Sequence, residues 1–197
     1  SAGLRLDHER KQALLNTFFS PAFAPAVAID AKRNFSNVSP QASVAFRLQP
    51  EKMVYAAMAR GFKAGGFNPA SPAGSEAYGE EHTWSVEGGA KTTWADGRLV
   101  ANAAAFHIDW QDLQLNLPDP RVPAQFYIAN VGGASSKGVE LELNARLHEG
   151  VDLFGALGYN RARFKQGSVS NGVNVAGNKL PNTPDYTATL GVQIARD

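Results

Sequence analysis

The sequence has no cysteine, which excludes a disulfide framework and any thiolate-held metal cluster. Neither charge is in excess: 19 Lys and Arg stand against 18 Asp and Glu. That balance excludes the basic footprint of a nucleic-acid binder and leaves no acidic tail. No run approaches the ~20 consecutive apolar residues of a membrane-spanning helix, so a helical membrane protein is excluded too. A catalytic constellation is also missing. His8, His82, His107 and His148 are scattered without the paired spacing of a zinc site. The stretch "GGASSKG" carries glycines and a lysine but not the spacing of a phosphate loop. Asp109 and Asp112 flank Trp110, yet three residues apart on a strand they point to opposite faces, which argues against a shared carboxylate task. The reading is therefore non-enzymatic, with no resident cofactor or metal.

What the sequence does contain is alternation. Val139, Leu141, Leu143, Ala145 and Leu147 interleave with Glu140, Glu142, Asn144 and Arg146, the mark of a half-buried strand. The same period of two runs through Ala42 to Leu48, Trp84 to Trp94, Val151 to Tyr159 and Tyr186 to Ile194. It predicts about eight strands, over residues 3–14, 39–49, 52–62, 81–95, 98–116, 125–147, 151–165 and 185–195. Short turns at residues 49–52, 96–98 and 148–150 alternate with long Pro-, Gly- and Asn-rich loops at 15–38, 63–80, 116–125 and 166–184. One end of such a sheet is tight and the other elaborate. Transmembrane barrels keep this asymmetry, with short periplasmic turns and long extracellular loops.

Face parity makes the register an explicit expectation, because opposed residues in a hairpin share a side. A three-residue loop ending in Gly150 sets Leu147 opposite Val151, Arg146 opposite Asp152 and Val139 opposite Tyr159. A two-residue loop at Pro50-Glu51 pairs Leu48 with Met53 and Phe46 with Tyr55. A three-residue or bulged loop at Asp96-Gly97 sets Trp84 opposite Trp110, with Glu87 meeting His107 on the other side. Trp84 and Trp94, ten residues apart on one face, are separated by ~33 Å along the strand, or ~25 Å across a bilayer when tilted by ~40°. Tyr55, Trp84, Trp94, Trp110 and Tyr159 are accordingly expected in a lipid-facing girdle, with Glu87, His107, Arg146 and Asp152 facing the lumen. The charges opposite the Trp face are too many for a small dry core. A soluble carbohydrate-binding β-sandwich and a small autonomous eight-stranded barrel are the alternatives.

Four stretches resemble the middle-to-late barrel of the TonB-dependent outer-membrane receptors: "FSNVSPQASVAFRLQPEKMVYAAMARGFKAGGFN", "EEHTWSVEGGAKTTWADGRLVANAAAFHIDWQDLQL", "NVGGASSKGVELELNARLHEGVDLFGALGYNRARF" and "GNKLPNTPDYTATLGV". The resemblance implies antiparallel transmembrane strands from a barrel of about 22. It implies a plug domain, an inner-membrane TonB energy-coupling complex acting through that plug, and a scarce nutrient such as an iron-siderophore chelate as ligand. It also implies the outer membrane of a Gram-negative bacterium, with its lipid as partner and no nucleic acid. No plug, coupling box or terminal strand is visible in the sequence, and residues 1–197 are expected to be a fragment of such a barrel. In "MVYAAMARGFKAGGFN", Arg60 and Lys63 are expected where lipid ends and Gly65-Gly66 where an extracellular loop begins. Phe62, Lys63, Phe67, Asn68 and Tyr78, with Arg121, Gln125 and Tyr127, are the expected ligand-contacting residues of the outer loops.

Overall fold

The computed structural model describes residues 1–17 and 26–195. In chain order the strands are β1 (Ala2–Thr17), β2 (Val27–Gln49), β3 (Lys52–Lys63), β4 (Gly66–Phe67), β5 (Ala77–Tyr78), β6 (Glu81–Trp94), β7 (Leu99–Gln111), β8 (Gln114–Pro118), β9 (Phe126–Asn130), β10 (Ala134–His148), β11 (Val151–Phe164), β12 (Val169–Ser170), β13 (Val173–Asn174) and β14 (Tyr186–Ile194). Eight long strands form one antiparallel sheet in the order β1-β2-β3-β6-β7-β10-β11-β14. Each is paired with the next long strand in the chain, an up-and-down meander that does not close on itself. The short strands pair among themselves, β4 with β5, β8 with β9 and β12 with β13. All three small hairpins lie in the long connections at one end of the wall, and tight turns occupy the other.

The sheet has two unlike faces. One carries Leu4, Leu6, Val44, Phe46, Val54, Met58, Val86, Leu141, Leu157 and Leu190, all exposed. The other presents Arg5, Asp7, Arg47, Tyr55, Glu87, Lys91, Glu140, Glu142, Arg146 and Asp152, and there Tyr55 donates to Glu87 Oε1 at 2.5 Å. A globular sheet would bury the first set. Here its apolar side chains have no protein partner among the described residues, and the compact core lies under the loops. This is the arrangement of a wall between lipid and a wet interior.

All three hairpin registers depart from expectation next to the turn, through turn length in one and a β-bulge in the other two. The Asp96-Gly97 connection spans four residues: Ala95, Asp96 and Gly97 have φ of 53°, 54° and 87°, and the Arg98 N–H bonds the Ala95 carbonyl at 3.1 Å. Trp94 therefore pairs with Leu99, Trp84 with Asp109, Thr83 with Trp110 and Glu87 with Phe106. Trp110 moves to the polar face, and His107 and Asp109 move to the apolar one. At Pro50-Glu51 the loop has two residues, but a bulge at Leu48 shifts the pairing, so that Phe46 meets Val54 and Ala45 meets Tyr55. Tyr55 thereby joins Glu87 on the polar face rather than the girdle. The third hairpin keeps Arg146 opposite Asp152 and Val139 opposite Tyr159, while a bulge at Leu147 sets His148, not Leu147, opposite Val151. Gly150 takes the expected left-handed conformation, with φ of 73°.

Trp84, Trp94 and Tyr159 do lie on the apolar face. Lys52 Nζ sits 3.7 Å from the centroid of the Trp94 ring at the tight-turn end, a cation placed over an aromatic face. Element bounds differ where alternation loses its meaning. β1 and β2 continue to Thr17 and back from Val27, through what reads as loop. A period of two does run through Ile29, Ala31 and Phe35, with Ile29 and Phe35 buried on one face, but Arg33 and Asn37 on that same face interrupt its apolar character, and the other face carries Asp30, Lys32 and Asn34. The rest of that expected loop, residues 18–25, lies outside the described residues. The strands expected at 98–116 and 125–147 each break in two, at residues 112–113 and 131–133.

Candidate functional site

The long connections at the elaborate end are tied into one cluster, and side-chain amides do much of the tying. Gln114 Nε2 donates to the carbonyls of Gly79 at 2.9 Å and Ala64 at 3.1 Å, and its own N–H donates to Glu81 Oε2 at 2.7 Å. Asn130 Oδ1 accepts the Gly79 N–H at 2.6 Å, while its Nδ2 donates to the Asp112 carbonyl at 2.7 Å. Asn68 Nδ2 reaches the Ser75 carbonyl at 2.8 Å, and its oxygen and nitrogen both engage Ile128. Together these bonds join the connection at 64–80 to the one at 112–130. Buried backbone polar groups need such partners, because no sheet ladder reaches them.

Gly65 and Gly66 serve the same closure. A Cβ on Gly65 would run into the Tyr78 carbonyl oxygen and lie 2.8 Å from the Gly79 carbonyl carbon. One on Gly66 would meet the Tyr78 hydroxyl at 2.5 Å. The pair therefore does more than begin a loop: it lets β5 fold back against β4.

Beneath the amides lies an apolar core of Leu113, Leu117, Tyr127, Val131, Ala134, Ala162, Phe164 and Leu180, with Trp110 packed against it. Tyr127 donates to Asn171 Oδ1 at 2.6 Å, and Asn171 Nδ2 donates to the Pro118 carbonyl at 3.0 Å, which brings in the third connection. Burial pushes the Tyr127 hydroxyl above its usual pKa, and the Asp119 carboxylate adds to the shift. Asp119 is itself buried, which alone would raise its pKa. The Arg121 N–H at 2.9 Å and the Arg121 guanidinium outweigh that burial and hold it below the ordinary carboxylate value.

The expected ligand residues fall into three groups. Asn68 and Tyr127 are buried braces. Phe62 lies on the outward face, its ring 5.5 Å from that of His82. Lys63 and Arg121 are exposed, and Phe67, Tyr78 and Gln125 are half-buried at the loop surface. Gln114, Asn130 and Asp119 have no motif or periodicity to announce them in the sequence. Among the described residues no group of His, Cys, Asp or Glu is arranged to hold a metal ion.

A family model described as "TonB dependent receptor-like, beta-barrel" matches residues 1–195. Among curated relatives, the pesticin receptor of Yersinia pestis is 27% identical over 194 residues, covering 96% of this chain and 27% of its own length. The probable TonB-dependent siderophore receptor PiuA of Acinetobacter baumannii is 27% identical over 203 residues, covering 95% of this chain and 26% of its own. The chain thus spans about a quarter of the curated relatives it matches. Among solved structures, the ferric yersiniabactin uptake receptor FyuA from Yersinia pestis superposes with a TM-score of 0.77 at 24% identity, over 100% of this chain and 28% of that one. The copper transporter OprC superposes with the same TM-score of 0.77 at 20% identity, over 100% of this chain and 30% of that one. At those identities the two superpositions speak for the fold alone.

Proposed function

This chain belongs to the family of TonB-dependent receptor β-barrels, proteins of the Gram-negative outer membrane, and on that premise we propose that it supplies wall and outer loops to an active-transport receptor for a scarce nutrient. An iron-siderophore complex is the substrate class we infer, in keeping with the siderophore and ferric-chelate names of PiuA and FyuA. The observation that carries the reading is the single braced loop cluster at one end of a wall that is polar on one side and apolar on the other. Such a wall can hold a ligand over the interior while its other side meets lipid.

In this reading residues 1–197 form one portion of the barrel. The ligand is captured by the outer loops and by a plug, and the plug is moved by the inner-membrane TonB complex. The role is transport rather than catalysis, and nucleic acid is not a partner. Of the expected contact residues, Lys63, Phe67, Tyr78, Arg121 and Gln125 are retained as the ligand-facing set. Cations and aromatics at a loop surface suit an anionic chelate with planar metal-binding groups. The test uses the full-length receptor. A strain lacking it is supplied with ferric siderophores as sole iron source, and binding of the same chelates to the purified receptor is measured by calorimetry. Growth and binding that are lost together in Lys63→Ala/Arg121→Ala support the proposal. An intact receptor that neither binds nor supports growth on any chelate offered overturns it.

A further inference from the structure

On the apolar face, two cations and a histidine stand in a row. Lys137 of β10 is directly opposite Arg161 of β11 on one side and His107 of β7 on the other. All three are exposed, and none has a carboxylate partner among the described residues. Like charges placed opposite each other on neighbouring strands destabilise a sheet unless something neutralises them. The next outward row cannot do so, because its carboxylate Asp109 is held by Lys165. Asp185, close by, is 3.1 Å from Lys179 and 3.5 Å from Arg163.

The row sits at a defined height. Immediately below it come Ala105, Val139, Tyr159 and Tyr186, and the last two rings are 5.2 Å apart. Below those come Leu141 and Leu157. An apolar band, then a tyrosine pair, then cations is the order of a bilayer's core, interface and headgroup layers. Two other strands of the wall repeat the pattern: the first polar residue above the band on this face is His8 after Leu6 in β1 and Arg60 after Met58 in β3. At the opposite end, by contrast, Glu51, Asp96 and Glu149 are mixed with Lys52 and Arg98.

We propose that His107, Lys137 and Arg161 form a docking site for the phosphate of an anionic lipid headgroup in the outer leaflet, with its acyl chains against Tyr159 and Leu157. An Arg guanidinium bonds phosphate oxygens in a bidentate fork, and the neighbouring Lys ammonium adds a point charge. The site rests on the assignment of this face to lipid. It adds a selectivity among lipids that an apolar band alone does not have.

The test takes the full-length receptor in detergent micelles and measures retention of a bisphosphorylated glycolipid, lipid A, by native mass spectrometry. Its fully dephosphorylated form serves as the comparison, and inorganic phosphate as competitor. Retention of the phosphorylated form is expected to exceed that of the dephosphorylated one. Lys137→Gln and Arg161→Gln should each weaken it about fivefold, the effect of one cation near a charged lipid surface, and Lys137→Arg should preserve it. Equal retention of both lipids, full retention by the Lys137→Gln/Arg161→Gln double variant, or displacement by millimolar inorganic phosphate overturns the site. The wild-type comparison of the two lipids stands even where a variant does not fold. A spin label at Leu141→Cys separates the two levels. A label that dissolved oxygen does not reach overturns the lipid-facing assignment itself, whereas a lipid-exposed label without headgroup discrimination overturns only the docking site.

Discussion

Asn68 grips the backbone of Ile128 from both sides: its Oδ1 accepts the Ile128 N–H at 2.9 Å, and its Nδ2 donates to the Ile128 carbonyl at 2.8 Å, across 60 positions of sequence. One side chain thus stands in for a pair of ladder bonds between two connections that share no sheet. Asn68→Ala leaves those buried groups without partners, at about 1–3 kcal/mol for each unsatisfied group. Limited proteolysis of the full-length receptor is expected to cut faster within 69–76 in the variant. Unchanged proteolysis with weakened chelate binding would return Asn68 to the ligand-contacting set.

Acid opens the 116–125 connection. Asp119 has a folded pKa below its unfolded value, so its contribution is fully present above the unfolded value of 3.8 and is lost as pH falls through the folded one. Pepsin cleavage between residues 117 and 127, followed from about pH 5 down to about pH 2, is expected to rise at the low end of that range. Asp119→Asn removes the pH dependence and leaves the segment open throughout. A variant with the wild-type profile contradicts the Arg121 pairing as its cause.

Gly65→Ala places a methyl group against backbone atoms of Tyr78 and Gly79 that cannot turn aside. Overpacking of this kind costs about 1–3 kcal/mol. Gly74→Ala meets nothing within 4 Å, and its penalty comes only from a φ of +86°, about 1–2 kcal/mol. Thermal unfolding of the full-length receptor should rank Gly65→Ala as the more damaging change. The reverse order contradicts the fold-back of β5 on β4.

Paired cysteines read the register directly. Glu87→Cys with Phe106→Cys, on opposed Cα positions, is expected to oxidise to a disulfide within the ~4.4–6.8 Å Cα window such bonds accept. Glu87→Cys with His107→Cys points to opposite faces and is expected to stay reduced. A cross-link in the second pair restores the three-residue turn at Asp96-Gly97.

Leu141 and Glu142 are neighbours on β10 that face opposite ways. Leu141→Arg, on the lipid side, is expected to lower the stability of the full-length receptor in vesicles by about 2–4 kcal/mol, as for an arginine near the bilayer midplane. Glu142→Gln, on the wet side, is expected to stay within about 0.5 kcal/mol. Urea unfolding in lipid vesicles measures both, and equal effects would deny that the faces differ.

The wall was readable because membrane and lumen impose opposite demands on successive residues, as Val139, Leu141 and Leu143 against Glu140 and Glu142 display. Parity within a strand was therefore safe, and parity between strands was not. Leu48 leaves the ladder without any residue that signals a bulge, and Asp96-Gly97 suits a two-residue turn as well as the four-residue one it adopts. Each such choice moves every downstream partner to the other face, which is how Tyr55, Trp110 and His107 changed sides while Trp84, Trp94 and Tyr159 did not. The loop cluster was the least readable part. Asn68, Gln114 and Asn130 act through single long-range bonds to backbone, and polar residues outside a periodic run leave no pattern by which to foresee them. Asn68 and Tyr127 read in the sequence as exposed loop polar and aromatic groups, the kind that contacts a ligand, whereas burial makes them supports.

Under the proposed function, the amide braces also bear on the timing of capture. Connections that moved independently would each have to be ordered when a ligand arrived, and every immobilised segment would subtract from affinity. Bound to one another through Gln114, Asn130, Asn68 and Tyr127, they meet that entropic demand during folding, before any encounter. In that role a pre-braced cluster would set a ligand's arrival rate by diffusion and charge, leaving the slow step to whatever lies beneath it.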